Sequence, residues 1–441
     1  MKKLFIKDVV SDSSQLPKGA SVELLGWIKS KRCHKNLVFF DICDSSGEIQ
    51  VVVDGKFFSE IDFKFIAGLK NESAVAISGL LEFGTKRKEL HAVSIDLICG
   101  SDLELSPSPR SDFDIFDEQY TNLVLKYRHL YIRNPKIMAI LKFRNLLKEV
   151  IREWFEKNDF VDFDAPILVP APLYAGSTAI GVSVHGDDVY LSQCAGFYLE
   201  AAVHAFERVY NMGPSFRGEE SRSKRHLIEY WHIKAELAWG NREDIIAIVE
   251  SLFDHVSREL EKRAGDLMAA IGRDICLDGL KQPFPRISYR EAIEILQKGG
   301  MEIEFGTSLG SSEEEILSKN FNSPFWRVGI PRSIEPFPYC IDPEHQELTL
   351  VADLIANNGY GELLGVAEKI SDYGMLMTRM AEKNKDSEAV YDFVKDVHRV
   401  GSVPHIAFGM GLERMMRWLL NIPHVRDCIP FPRVVRRSIM P

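Results

Sequence analysis

The sequence predicts an α+β chain in two folded parts, a small β-barrel followed by a larger domain built on an antiparallel sheet. Three observations carry this expectation. Residues 18–100 hold short runs rich in Val, Ile and Phe, separated by turn residues. A polar linker with paired Ser-Pro dipeptides, Ser106-Pro107-Ser108-Pro109, follows them. Beyond it, strand-like runs succeed one another while helical periodicities gather at either end, which favours an antiparallel α+β domain over a doubly wound sheet. The expected boundaries are 1–105 for the barrel domain, 106–134 for the linker and 135–441 for the larger domain.

In the first part the strand candidates are Val22–Lys29, Val38–Ile42, Ile49–Val53, Ala74–Glu82 and His91–Ile98, with Asp44-Ser45-Ser46-Gly47 as a turn. Strands of this number and length suggest an OB-fold barrel. After the linker, Asn134-Pro135 supplies a helix cap and a first-turn proline. Ile140, Phe143, Leu147, Ile151 and Trp154 then recur at helical spacing. A second helix follows Asn241, with Ile245, Val249, Leu252, Val256 and Leu260 on one face. Val189–Gln193, Val209–Arg217, Ile228–Trp239, Trp326–Ile330 and Leu348–Ala356 read as strands.

At 441 residues the chain exceeds one ordinary domain, and 45% hydrophobic with 27% charged residues is an ordinary globular composition. The longest apolar stretches, such as Ala74–Leu81, fall far short of a bilayer-spanning helix, so no membrane partner is expected. The start, Met1-Lys2-Lys3-Leu4-Phe5-Ile6-Lys7-Asp8, lacks the apolar core of a secretory signal. Seven scattered cysteines without Cys-x-x-Cys argue against a disulfide framework or a zinc site, and a reduced cytoplasmic enzyme is expected. The net charge of −10 gives a polyanion no general attraction. Local basic clusters offer some: Lys29, Lys31, Arg32 and Lys35; Lys86, Arg87 and Lys88; Arg222, Lys224 and Arg225; Arg433, Arg436 and Arg437. Neither a P-loop nor a Gly-x-Gly-x-x-Gly after a strand is present, so an ATP site here is of another kind.

The most informative stretch runs from Gly213 through Phe216-Arg217-Gly218-Glu219 and Arg225-His226-Leu227-Ile228-Glu229 to Tyr230. It reads as a strand, a polar loop and a return strand. Alternation puts Tyr230, His232, Lys234 and Glu236 on one face of that return strand, with Trp231, Ile233 and Leu237 on the other. A guanidinium at one strand's end can grip phosphate while an aromatic ring at the next strand's start stacks on a base. On local chemistry alone a charged surface hairpin is an equal alternative.

This segment resembles motif 2 of the class II aminoacyl-tRNA synthetases, in the form found in the asparaginyl, aspartyl and lysyl subgroup. The likeness implies that Arg217 holds the ATP α-phosphate and the acyl carboxylate, and that Glu219 orients the adenine amino group. It further implies that Arg225 and His226 reach the distal phosphates and that Tyr230 stacks under adenine. Gly401–Met415 resembles motif 3, with glycines that allow close approach, Gly411 among them, and Arg414 for the γ-phosphate. Val425–Arg433 resembles the asparaginyl-type ending, and Phe160–Leu168 resembles motif 1, which implies a homodimer. Asp353 and Glu362 match the subgroup's Mg²⁺ position, and hard oxygen ligands suit that ion. In the barrel, Arg32, Phe39 and Gln50 resemble the anticodon-reading set, with an aromatic stacking on the middle base. Since Phe39 and Phe40 alternate, one of the two is expected in the barrel core.

The implied activity is ATP-dependent adenylation of asparagine, or of an asparagine-like acid, and transfer to tRNA. Arg217 and Arg414 are its implied catalytic residues. The amino-acid pocket departs from the subgroup. In Ser192-Gln193-Cys194-Ala195-Gly196-Phe197-Tyr198-Leu199-Glu200, Gly196 stands where a Gln normally helps hold the α-amino group, while Glu200 fits an amide acceptor. Lys369 replaces the Arg that holds the side-chain carbonyl, and the two are not interchangeable at a bidentate site. Of two usual glutamates on the return strand, one is Lys234 and Glu236 remains; the loop Tyr174–Thr178 is also unlike the usual lid. These departures predict weaker binding of asparagine and keep open a paralogue that activates another acid or passes the adenylate to an amine other than tRNA. A catalytically silent RNA-binding module is a third reading, opposed by the complete set Arg217, Glu219, Asp353, Glu362 and Arg414.

Overall fold

The structure is a computed structural model; it describes residues 4–11, 15–84, 87–172, 178–221, 223–273 and 280–439. Lys86, Arg222 and positions 174–177 of the unusual loop lie outside the described residues. The chain divides into two compact units, Met1–Met138 and Ala139–Pro441.

In the first unit, β1 (Ser21–His34), β2 (Leu37–Cys43), β3 (Glu48–Asp54), β4 (Ala74–Phe83) and β5 (Lys88–Cys99) close a barrel in the order β1-β2-β3-β5-β4. Only the β3–β5 pair is parallel. Alternation in β2 is strict: Val38, Phe40 and Ile42 fill the core, while Leu37, Phe39 and Asp41 point outward. Phe40 is therefore the core member of the aromatic pair. A helix the sequence reading lacked, Glu60–Gly68, joins β3 to β4, capped by the Ser59 side chain. Ile66 is its one buried residue, so it has no apolar stripe to announce it. The Ser-Pro linker is pinned: Tyr131 donates to the Pro107 carbonyl at 2.8 Å, and the Asn134 amide donates to those of Pro109 and Ser111.

The helix Pro135–Lys157 opens with the Asn134 side chain accepting from the Lys136 amide at 3.0 Å. Its apolar face turns inward: Phe143, Leu147, Ile151 and Phe155 are fully buried, and Trp154 nearly so. Phe155 stacks on Tyr210 with ring centroids 4.0 Å apart. The chain's own core covers this face as far as Trp154 and Phe155. What stays exposed near motif 1 is Val161, Ile167 and Leu168.

The second unit contains β6 (Val161–Asp162), β7 (Leu168–Val169), β8 (Ile180–Val184), β9 (Asp187–Leu191), β10 (Arg208–Phe216) and β11 (Glu229–Ala238). It continues with β12 (Arg286–Ser288), β13 (Phe325–Val328), β14 (Val351–Ala356), β15 (Gly361–Lys369) and β16 (His405–Gly411). Eight of these form one sheet, ordered β12-β13-β14-β15-β16-β11-β10-β6, and β7, β9 and β8 form a small second one. The large sheet is antiparallel except at its two edges, β6 on β10 and β12 on β13. The helix Arg242–Arg263 starts in a capping box built by Asn241 and Asp244 and buries Ile245, Val249, Leu252, Val256 and Leu260.

Candidate active site

Three segments far apart in sequence meet over the middle of the large sheet. Arg217 leaves β10; Glu219, Arg225 and His226 lie on the loop; Tyr230 and His232 stand on β11; Glu362 is on β15, and Gly411 and Arg414 lead out of β16. All of them line one cleft. The β10–β11 hairpin holds them in place from behind. The Trp231 amide donates to Glu413, which pairs with Arg144 at 2.6 Å, and Lys148 sits 3.9 Å over the Trp231 ring. The alternation read from sequence is thereby observed, with Trp231 on the back face.

Arg414 reaches the Glu362 carboxylate at 3.2 Å and the His226 ring at 3.3 Å. Burial and the nearby guanidiniums of Arg414 and Arg225 push His226 down to about 4, so the ring is neutral at physiological pH. Arg225 pairs with Glu314, whose carboxylate also accepts the Glu362 amide at 3.0 Å. At Gly361, φ is +79°, and a Cβ would collide with the Arg225 guanidinium. Only glycine suits that turn. Gly409 is similarly constrained, because a Cβ there would stand 2.8 Å from His232, whereas one on Gly411 would make ordinary contacts.

A second, roomier cleft of about 420 Å³ adjoins the first and shares Arg217, Arg225, His232, Glu362 and Gly409 with it. Lys234 and Lys369 also line it. Lys369 donates to Glu200 at 2.9 Å and lies 3.6 Å from Glu236, and all three side chains are buried. Burial opposes the charge on Glu200, but Lys369, His405 and His398 hold its carboxyl down at about 2. Glu236 goes the other way: burial lifts it to about 7 against the pull of Lys369. Gln193 is buried, donates to Thr178 at 2.8 Å, and lines neither cleft. Gly196 lies beside Lys234, with the ammonium 2.8 Å from where its Cβ would stand. The space beside Gly196, where the resemblance expects a Gln side chain, is therefore filled by Lys234.

Asp353 and Glu362 both line the second cleft. Asp353 pairs with Arg327 at 2.6 Å, yet burial, with Glu362 adding to it, lifts the Asp353 carboxyl to about 6. Two mutually repelling carboxyls facing one cleft form a donor set that a hard cation fits. Among the described residues no group of three His, Cys, Asp or Glu side chains could enclose a metal, so the remaining ligands of such an ion would be phosphate and water.

Sequence reasoning missed Glu314, Arg327 and Glu335. Glu335 is lifted to about 8, chiefly by burial, at the edge of the second cleft. Glu314 sits in Ser311-Ser312-Glu313-Glu314-Glu315, a run that looks like any solvated helix start. On the barrel, Phe39 on β2 stands opposite Arg32 on β1, and Gln50 on β3 lies opposite Asp41 on the same outer face. The Gln50 side-chain oxygen accepts from Arg87.

A closed five-stranded barrel, joined to an antiparallel sheet that carries an arginine-lined cleft at its centre, is the architecture of a class II tRNA synthetase. The chain belongs to that family: residues 120–435 match the model of tRNA synthetases class II (D, K and N), and residues 22–98 match the OB-fold nucleic acid binding domain. An asparagine–tRNA ligase of Thermococcus gammatolerans is 37% identical over 95% of this chain and 96% of its own length. One from Thermococcus kodakarensis is 36% identical over 99% of each. The crystal structure of asparaginyl-tRNA synthetase from Pyrococcus horikoshii with asparaginyl-adenylate superposes with a TM-score of 0.90, at 34% identity over 99% of both chains.

Proposed function

We propose that this enzyme forms the adenylate of asparagine, or of an acid sharing its carboxamide end, and transfers the acyl group to tRNA. The observation that carries this is the convergence of Arg217, Glu219, Arg225, His226, Tyr230, Glu362, Gly411 and Arg414 on one cleft. A carboxylate oxygen attacks the α-phosphorus of ATP in line, and the bond to the leaving pyrophosphate breaks with its electron pair. The terminal ribose hydroxyl of tRNA then attacks the acyl carbon, releasing AMP. No protein nucleophile is required; positioning and charge stabilisation supply the rate.

In this reading Arg217 spans the acyl carboxylate and the α-phosphate, and Arg414 takes the γ-phosphate. Tyr230 stacks on adenine and Glu219 accepts from its amino group, while Arg225 and His226 face the distal phosphates. Asp353 and Glu362 would hold Mg²⁺, which when bound neutralises phosphate charge. Lys369 and Glu200 meet the far end of the acid, with Glu236 and Gln193 behind them. The outer face of the barrel, with Arg32, Phe39 and Gln50, takes the anticodon. The exposed Val161, Ile167 and Leu168 support a homodimer, and the free thiols among the described residues suit the cytoplasm. No described helix is long and apolar enough to cross a membrane. ATP–pyrophosphate exchange across a panel of acids, followed by transfer to tRNA, tests the reading; exchange with no acid at all removes it.

A further inference from the structure

Three histidines stand around Glu200, and their hydrogen bonds tell them apart. The Val403 amide donates to Nε2 of His204, so that nitrogen is bare, and Nδ1 carries the hydrogen given to the Glu200 carbonyl. His405 donates from Nδ1 to the Val403 carbonyl at 2.8 Å, and burial pushes its ring down to about 4, which leaves it neutral. His398 differs from both. It lies on the helix Asp392–Arg399, with Nδ1 2.9 Å from the Val394 carbonyl oxygen and Nε2 2.8 Å from that of Ile370. A carbonyl oxygen can only accept, so each nitrogen must donate, and a ring with two N–H groups is an imidazolium.

The third neighbour of this ring is a carboxylate. His398 Nε2 stands 3.4 Å from Glu200 Oε1, while Glu200 Oε2 accepts from Lys369 at 2.9 Å. Lys369 lines the second cleft; Glu200 and His398 line neither cleft. From the cleft wall inward the order is therefore cation, anion, cation, closed by two backbone carbonyls. One of those carbonyls belongs to Ile370, the residue that follows Lys369 at the end of β15. His398 thus holds Lys369 in two ways, through the shared carboxylate and through the adjoining backbone. Beyond them, Glu236 lies 3.6 Å from Lys369, and His405 lies 3.9 Å from Glu200. The side chains of Lys369, Glu200 and His398 are at most 3% exposed, so solvent screens their charges little.

We infer that His398 stands in the fold as an imidazolium and is a positioning residue for Lys369, the cation that meets the far end of the acid. Its charge keeps Glu200 shared between two cations, and its two hydrogen bonds fix the backbone from which Lys369 projects. The effect on the acid rests on the reading of the cleft as an acid-activating site; the charge of the ring does not.

The test has three readouts on the full-length enzyme. In protein carrying ¹⁵N-labelled histidine, the His398 resonances are those lost in His398→Gln, and at neutral pH both ring nitrogens should prove protonated. A neutral tautomer there overturns the inference. In pyrophosphate exchange, His398→Gln and His398→Asn, which keep a donor but no charge, should raise KM for asparagine by roughly 10-fold and leave KM for ATP unchanged. An equal rise in both constants, or none in either, overturns the positioning role. The third readout is urea denaturation of His398→Gln in the natural enzyme and in Glu200→Gln. The substitution should destabilise the former and cost nothing in the latter, whose carboxylate is gone. Equal losses in the two backgrounds count against the inference. If no acid supports exchange in the natural enzyme, the activation reading falls, while the ring's charge and its coupling to Glu200 are still decided by the first and third readouts.

Discussion

Lys369 and Glu200, 169 residues apart, form an ion pair of 2.9 Å in which each side chain is only 3% exposed. Removing one partner strands the other's charge in the interior, which costs more than the pair contributes. Lys369→Met should therefore lower stability by about 3–5 kcal/mol. Lys369→Met with Glu200→Gln should recover most of that loss while acid activation stays low. Urea denaturation and pyrophosphate exchange on the single and double variants check both halves.

Glu236 supplies a pH signature. Its carboxyl lies at about 7 in the fold against an ordinary 4.5, and neither oxygen has a hydrogen-bond partner. Between those values the unfolded chain has released this proton and the folded chain keeps it. The folded form then binds more protons, so this group's contribution to stability is largest below 4.5 and is lost as pH rises to 7. Glu236→Gln should remain as stable as the natural protein near pH 4.5 and gain on it steadily up to pH 7. Unfolding curves across that range decide the matter; a difference independent of pH would count against it.

Arg217→Ala and Arg414→Ala should each reduce adenylate formation by roughly 10²–10³-fold, the usual effect of removing one preorganised donor from developing charge. Circular dichroism and melting temperature should change little. Exchange near the natural rate in either variant would dismiss that arginine's role.

The barrel distinguishes its two aromatic neighbours. Phe40 is 1% exposed in the core, so Phe40→Ala should destabilise the barrel by about 3–5 kcal/mol. Phe39→Ala should instead raise KM for tRNA, by the equivalent of about 1–3 kcal/mol, and leave tRNA-independent exchange unchanged. Parallel losses in both assays would make Phe39 a structural residue.

Much of this was legible in the sequence because alternation and helical spacing are local. The five barrel strands, the face of β11 that carries Tyr230, His232, Lys234 and Glu236, and the cap at Asn134 all follow from neighbouring residues. The resemblance to motifs 2 and 3 brought their side chains to one cleft. What escaped was long-range. Nothing near Glu314 marks it as the partner of Arg225, and nothing near Gly196 shows that Lys234, on another strand, fills the space beside it. Nor does anything near the Trp154 face show its cover, since Tyr210, which stacks on Phe155, comes from a strand some fifty residues further on.

The position of β11 limits how such an enzyme can change. Hydrogen-bonded to β10 on one side and β16 on the other, it cannot slip by one residue without exchanging Tyr230, His232, Lys234 and Glu236 for Trp231, Ile233, Ala235 and Leu237. Insertions and deletions in this strand are therefore closed to evolution, and replacement in place is left. Because successive positions on one face serve different parts of the cleft, a change at 234 alters the acid end while the nucleotide end, two residues upstream and beyond, keeps its geometry. Descent with a new substrate then requires single substitutions in a frame that never moves.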